Sequence, residues 1–384
     1  MDPLLSSLST IFKRYGDPGK ERASIWMKIA TGSWAVESGP FPSAHHSSGA
    51  SVDSARRHKQ TNDDWMWSGA GKVRLITLDL ALQPHSKCEL QQAIENAPRI
   101  VTDREEATAA LSQSLVAKKV ADFNAHDRCY DEVFALEHAK KIGVNVPSVY
   151  RIVKGTDSLY YIIMERIQGK TLEQLWSSIG WFRTLLYSWQ LRKIVKRMRE
   201  SVSVRGGGLA SGRYFSPHLE GMNPLVRHIS PTHLAEHLNW WLVSCRPTTL
   251  TPRHDLVLRP LEHHVFTHQD LAPRNIIVDP QNRLWIVDWG YAGYFPIYVE
   301  YTGMHHHAMD WVNGPSFKAR LARWRWFFLR WIVAGSYSTE ARAMFEISRR
   351  STRFKAGSKP PHTDRALERS VVPVDSRWEL GFQD

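Results

Sequence analysis

The alternation of apolar and polar positions divides the chain into a strand-bearing segment followed by a mainly helical one. Leu115-Val116-Ala117-Lys118-Lys119 and Leu159 to Met164 (LYYIIM) are β-rich runs, the second preceded by turn residues at Lys154, Gly155, Thr156 and Asp157. Asp127 to Ile142 carries apolar Val133, Leu136 and Ala139 and stops at Gly143, the pattern of a helix with a glycine C-cap. Thr171 and Gln174 form a T-x-x-Q capping box, which starts a helix. Tyr187, Leu191, Ile194 and Met198 recur in helical phase, as a core-facing helix requires. Ile276 to Val278 and Leu284 to Val287 flank the polar turn Asp279-Pro280-Gln281-Asn282 and predict a hairpin. Trp324 to Ala334 is aromatic and apolar but interrupted by Arg325 and Arg330; it reads as a buried helix, with an interface or membrane-surface helix as the alternative, and is too short to span a bilayer.

The hairpin frames the most informative chemistry. His268, Asp270 and Asn275 stand in the spacing H-x-D-x-x-x-x-N, and Asp288 follows with Trp289 and Gly290. A hairpin folds back on itself, so Asn275, before its first strand, and Asp288, after its second, come to the same end. Two hard oxygen ligands at one point suit Mg²⁺, which takes oxygen and few protein ligands. Asp270, on the loop just before, can face a substrate hydroxyl. One carboxylate to orient or deprotonate a hydroxyl, with an amide oxygen and a carboxylate to hold magnesium, is the layout of a phosphoryl-transfer site.

These residues resemble the catalytic and metal-binding region of the aminoglycoside phosphotransferase family, a branch of the protein-kinase-like fold. The similarity is greatest to its fungal members, which read roughly F-T-H-x-D-L-A-P-R-N-I-x-V, then I-x-D-W and a G-x-x-P-x-Y-x-E-Y tail. Here those positions are Phe266 to Val278, Ile286 to Trp289, and Gly293, Pro296, Tyr298, Glu300 and Tyr301. Gln269 stands where the group usually has glycine. The resemblance implies an α+β, two-lobed fold, with a small β-rich N-lobe over about 96–165 and a larger, mainly helical C-lobe over about 166–350. It implies ATP and Mg²⁺ as cofactors and a small-molecule hydroxyl as acceptor. Asp270 is then the catalytic carboxylate, His268 the brace of its loop, and Asn275 and Asp288 the metal ligands. The adenine-binding hinge falls at Glu165, Arg166 and Ile167. The lysine that braces the phosphates lies in Val116-Ala117-Lys118-Lys119, which matches the kinase pattern V-A-x-K at Lys119. Side chains alternate across a strand, so one lysine of the pair faces the cleft, and Lys118 is the other candidate. Its partner is a glutamate on the next helix: Glu132, in the spacing E-x-x-x-L through Leu136, ahead of Glu137.

Some features stand apart. No G-x-G-x-x-G precedes the lysine, and Glu105, Glu106 and nearby alanines read as helix where the first two strands belong. That leaves a second reading, a catalytically silent kinase-like module that binds a nucleotide or ligand. A protein kinase is less favoured, since no A-P-E segment follows Asp288. Ser68 to Lys72 lacks the first glycine and the final Ser/Thr of a Walker loop. Gly206 to Gly208 follows a helix and reads as a flexible connection. His264 and His268 have the i, i+4 spacing of a helical zinc pair but bracket the strand-like Val265-Phe266-Thr267, and neither they nor His263 and His305 to His307 are expected to form a zinc site.

The remaining composition narrows little. Three widely spaced cysteines, Cys88, Cys129 and Cys245, argue against a disulfide framework and for a reducing, cytoplasmic setting. The net charge of +12 gathers on helical stretches around Arg192 to Arg199 and Lys318 to Arg330, without a nucleic-acid-binding module. Met1 to Gly16 has no apolar core of a signal peptide. Residues 1–95 read as an N-terminal extension, disordered over Gly32 to Asn62, and 351–384 as a flexible tail.

Overall fold

In the computed structural model, the described residues are 65–68, 71–74, 87–100, 108–121, 124–155, 159–217, 219, 225–245, 250–311, 317–354 and 360–363. The expected disorder over 32–62, Glu105 and Glu106 and most of the 351–384 tail lie outside them, whereas Ala109 and Ala110, which read as helix with those glutamates, lie in a strand. The fold is α+β, two-lobed and protein-kinase-like. A short hairpin, β1 (Trp65–Ser68) and β2 (Gly71–Arg74), comes first. The N-lobe then comprises α1 (Lys87–Asn96), β3 (Arg99–Ile100), β4 (Thr108–Ala110), β5 (Leu115–Ala121), α2 (Ala125–Lys141), β6 (Val149–Lys154) and β7 (Leu159–Glu165). Its strands form one antiparallel sheet in the order β3-β4-β5-β7-β6.

Strand alternation gives this sheet two apolar faces. Leu115 and Ala117 of β5 pack with Tyr161 and Ile163 of β7 and with Leu90 and Ile94 of α1. Val116 and Val120 pack on the opposite face with Cys129, Tyr130 and Val133 of α2. Helix α1, which the sequence reading assigned to the extension, thus belongs to the lobe. Its Leu90 and Ile94 are an i, i+4 pair that covers the outer face of the sheet.

The C-lobe continues through β8 (Lys170–Thr171), α3 (Leu172–Leu175), α4 (Trp181–Glu200), β9 (Val202–Ser203), α5 (Pro231–Val243) and β10 (His264–Thr267). It ends with β11 (Ile276–Val278), β12 (Leu284–Ile286), β13 (Gly293–Phe295), α6 (Val299–Trp311), α7 (Phe317–Ala334) and α8 (Ser338–Arg353). The T-x-x-Q capping box forms at Thr171 and Gln174, and Gly143 has the positive φ of a helix stop, +79°. Tyr187, Leu191, Ile194 and Met198 enter the main core with Phe266, Leu271, Trp289 and Trp326.

Three expectations change. Gly206 to Gly208 is a packed turn, not a flexible connection. Gly207, at φ +109°, exchanges two backbone hydrogen bonds with Tyr294, and a Cβ on Gly208 would lie 2.3 Å from the Asp131 carboxylate. In α7 the arginines and aromatics trade places: Arg325 and Arg330 are buried, whereas Trp324 and Trp331 are exposed. Arg325 donates to the carbonyls of Ile179 and Trp176, and Arg330 lies over the Tyr301 ring and donates to its hydroxyl, while Arg325 Nε and Arg330 Nε and Nη1 have no hydrogen-bond partner among the described residues. Finally, residues 360–363 of the tail dock on the C-lobe, where Val226 N donates to His362 O and His237 Nδ1 meets Pro361 O.

Candidate active site

β11 and β12 pair antiparallel with Ile276 opposite Ile286, and Val287 N donates to Asn275 O at 3.0 Å. That register brings Asn275 and Asp288 to one end of the hairpin. Asp279 holds the other end, accepting from Gln281 N and Arg283 N. Asp288 has φ +64°, in the left-handed region that aspartate tolerates better than most residues.

Asp288 meets the N-lobe through a lysine. Lys118 Nζ lies 2.6 Å from Asp288 Oδ1 and 2.7 Å from Glu132 Oε2. Glu132 is almost fully buried and also accepts from Trp289 N. Lys119, the residue favoured from V-A-x-K, is exposed. The correction follows from the pleat. Lys118 shares the α2-facing side of β5 with Val116 and Val120, and Glu132 sits on α2. Burial works against the Lys118 charge, but Asp288 and Glu132 more than offset it and raise its pKa. Burial likewise pushes Asp288 up, and Lys118 reverses that, holding the carboxyl below its usual range. For Glu132 burial prevails over the pull of Lys118 and the pKa rises.

Asp270 is held from two sides. Arg274, four residues on, donates to both of its oxygens at 2.9 and 2.7 Å, and Asn275 Nδ2 donates to Oδ2 at 2.9 Å. Asn275 Nδ2 also donates to the main-chain oxygen of Asp270, which fixes the amide orientation. His268 joins this loop to the hairpin. Its Nδ1 accepts from Asp270 N and its Nε2 donates to Val287 O. Burial lowers the His268 pKa, in keeping with the neutral tautomer those bonds require.

Two further residues shape the loop. Gln269, at φ +68°, takes up the left-handed backbone suited to glycine. Its side-chain amide donates to the carbonyls of Phe215 and Tyr291, ties that offset the strain. Glu300, in α6, is buried and accepts from His268 N at 2.7 Å. Burial raises its pKa to about 7, against the pull of that hydrogen bond and of Arg199. Glu300 stands in the quoted motif, but nothing local in the sequence gives it this role. Arg274 could have been found, since i, i+4 spacing from Asp270 marks a pair.

At the expected hinge, Glu165 N donates to Ser148 O and Arg166 N to Ser114 O. Among the described residues Ile167 N has no hydrogen-bond partner, so it is the amide of the three free to donate to a ligand. The described histidines gather elsewhere. His233, Glu236 and His362 bring ligand atoms within 4.8 Å of one another, but the 2.6 Å His362–Glu236 contact already accounts for that grouping.

Residues 232–333 match the APH phosphotransferase enzyme family. That segment holds the His268–Asn275 loop, the hairpin and Asp288. None of the curated proteins matches the chain. Among solved structures, a thermostable mutant of aminoglycoside phosphotransferase APH(4)-Ia is similar at 16% identity, covering 70% of this chain and 98% of its own, with a TM-score of 0.39. The GDP and kanamycin complex of APH(2")-IIia is similar at 14% identity, with coverage of 68% and 84% and a TM-score of 0.40. APH(3'')-Id from Streptomyces rimosus is similar at 15% identity, with coverage of 72% and 99% and a TM-score of 0.42.

Proposed function

We propose that the chain is a small-molecule kinase that moves a phosphoryl group from magnesium-bound ATP to an acceptor hydroxyl. The observation that carries this reading is the meeting of Lys118, Glu132 and Asp288 beside the Asp270–Asn275 loop, with Lys118 and Asp288 170 positions apart in the sequence. A site that performs phosphoryl transfer does little covalent chemistry of its own, and positioning with charge neutralisation supplies nearly all the catalysis.

Each residue has a role in that scheme. Asp270, oriented by Arg274 and Asn275, receives the acceptor hydroxyl and takes its proton as the oxygen attacks the γ-phosphorus. The bond from that phosphorus to the bridging oxygen breaks and ADP leaves. Lys118, braced by Glu132, positions the phosphates. Ile167 N offers the hinge donor for the base.

The donor set fits magnesium. Asn275 Oδ1 and Asp288 Oδ2 carry no hydrogen bond among the described residues, since Asn275 uses its nitrogen and Asp288 its other oxygen. These two oxygens would hold the ion, whose charge neutralises that developing on the phosphates. Within this reading, the F-T-H-x-D-L-A-P-R-N-I-x-V motif favours a kinship with the fungal phosphotransferases. Only three cysteines, widely spaced along the sequence, favour a reducing, cytoplasmic setting.

The test is transfer itself. Metabolite extract incubated with the protein, Mg²⁺ and γ-labelled ATP should yield a new phosphorylated species by mass spectrometry. Asp270→Ala should slow its formation by about 10² to 10⁴. Nucleotide binding with no labelled product would favour the catalytically silent module instead. Undiminished transfer by Asp270→Ala would remove that residue from the chemistry.

A further inference from the structure

The described C-lobe presents an apolar face that its own core does not use. On α4, Phe182, Leu185, Leu186 and Trp189 are exposed, Phe182 at 80% and Trp189 at 60%. They recur at i, i+3, i+4 and i+7, a single helical stripe. On α7, Phe317, Leu321, Trp324 and Trp331 recur at i, i+4, i+7 and i+14, with Phe317 at 77% and Trp324 at 59% exposed. The two helices pack against each other. Trp181 of α4 meets Phe328 of α7, with ring centroids 5.8 Å apart, and Arg192 donates to Ile332 O. Both helices turn their other faces, Leu191 and Val195 on α4 and Trp326, Leu329 and Val333 on α7, into the main core.

Charge distinguishes this face from an ordinary interface. α7 contains no acidic residue, and α4 has none before Glu200 at its end. Lys193 continues the α4 stripe four residues beyond Trp189, and Arg320 lies between Phe317 and Trp324 on α7. Both cations are exposed. Interface cores between proteins share the tryptophan, phenylalanine and arginine of this face but are depleted of lysine, which stands here at Lys193 in line with the apolar stripe. Tryptophan and phenylalanine interleaved with Lys and Arg, with no carboxylate among them, instead match the boundary between lipid headgroups and acyl chains. No helix among the described residues is long and apolar enough to cross a membrane.

We propose that the paired α4–α7 face docks this protein peripherally on an anionic lipid surface. The aromatic side chains enter the headgroup boundary, while Lys193, Arg320 and their exposed neighbours Arg183 and Lys318 meet lipid phosphates and carboxylates. The proposal is independent of the phosphotransferase reading, since it uses none of the residues of that site.

Vesicle co-sedimentation of the full chain tests it. Vesicles of phosphatidylcholine with about a third phosphatidylserine should pellet the protein, and vesicles of phosphatidylcholine alone should pellet much less. Raising the salt should release it, as screening weakens attraction to the anionic surface. Trp189→Ser with Trp324→Ser should reduce binding at least tenfold. Lys193→Glu with Arg320→Glu should do the same while leaving the apolar residues in place, and equal melting temperatures for the variants and the parent exclude misfolding. Absence of binding to the anionic vesicles, or binding unaltered in both variants, overturns the proposal. Concentration-dependent dimerisation in analytical ultracentrifugation, abolished by the tryptophan substitutions without any lipid binding by the parent, overturns it in favour of a second copy of the chain.

Discussion

Lys118 Nζ stands 2.6 Å from Asp288 Oδ1, so a strand of the N-lobe and the end of a C-lobe hairpin share one ion pair. The same nitrogen contacts both oxygens of Glu132. This carboxylate and this ammonium group thus neutralise each other, and in the proposed function, where they serve metal and phosphates, nucleotide binding exchanges this contact for others. Lys118→Ala should lower transfer by at least 10², as loss of a major electrostatic contact to the transition state does. Lys119→Ala should leave it within about twofold, because a solvated lysine on the other face touches none of the site. Steady-state kinetics of the two variants side by side checks the assignment.

Arg274 acts through Asp270. Its guanidinium donates to both carboxylate oxygens, and its removal frees the carboxylate to rotate. Arg274→Ala should lower kcat by roughly tenfold, less than the 10² to 10⁴ of Asp270→Ala. The two changes share one function, so adding Arg274→Ala to Asp270→Ala should cost almost nothing more. A double-mutant cycle in kcat measures this, and full additivity would separate the two residues.

Glu300 links the loop to pH. Burial raises its pKa from the ordinary glutamate value near 4.5 to about 7. Between those values the folded protein holds a proton that the unfolded chain has released, so stability declines as pH rises through the window. A shift of this size corresponds to about 3 kcal/mol at pH 8. Glu300→Gln has no proton to lose. Its melting temperature relative to the parent should therefore climb by several degrees between pH 5 and pH 8, as differential scanning calorimetry would record. A constant difference across that range would contradict the account.

Helix α1 supports the N-lobe sheet through Leu90 and Ile94, both buried. Ile94→Ala should destabilise the fold by about 2 to 5 kcal/mol, the range for a large-to-small change in a packed core. Urea denaturation gives the value, and a change below 1 kcal/mol would return α1 to the extension.

What the sequence revealed was mostly local. The hairpin around Asp279, the H-x-D-x-x-x-x-N spacing, the capping box at Thr171 and the glycine stop at Gly143 are each set by a few neighbouring residues, and each was readable. The choice between Lys118 and Lys119 was not. Strand alternation separates the two, but which face meets the cleft depends on where α2 packs, a long-range fact. The same holds for Gly207, whose partner Tyr294 lies far along the chain, and for Glu300, whose bond to His268 N joins α6 to the catalytic loop. In α7 the arginines interrupt an apolar run, and the partners that hold them inside, the carbonyls of Trp176 and Ile179 and the Tyr301 ring, come from other segments. A one-letter pattern cannot display partners contributed by other segments.

The central claim is that Asn275 and Asp288 create a magnesium-dependent nucleotide site with Lys118. Isothermal titration of a non-hydrolysable ATP analogue, with and without Mg²⁺, addresses it directly. The parent protein should bind at least tenfold more tightly with the metal, and Asp288→Ala and Asn275→Ala should each remove most of that difference. Affinity that ignores Mg²⁺ in the parent, or a metal dependence that survives in Asp288→Ala, would contradict the account.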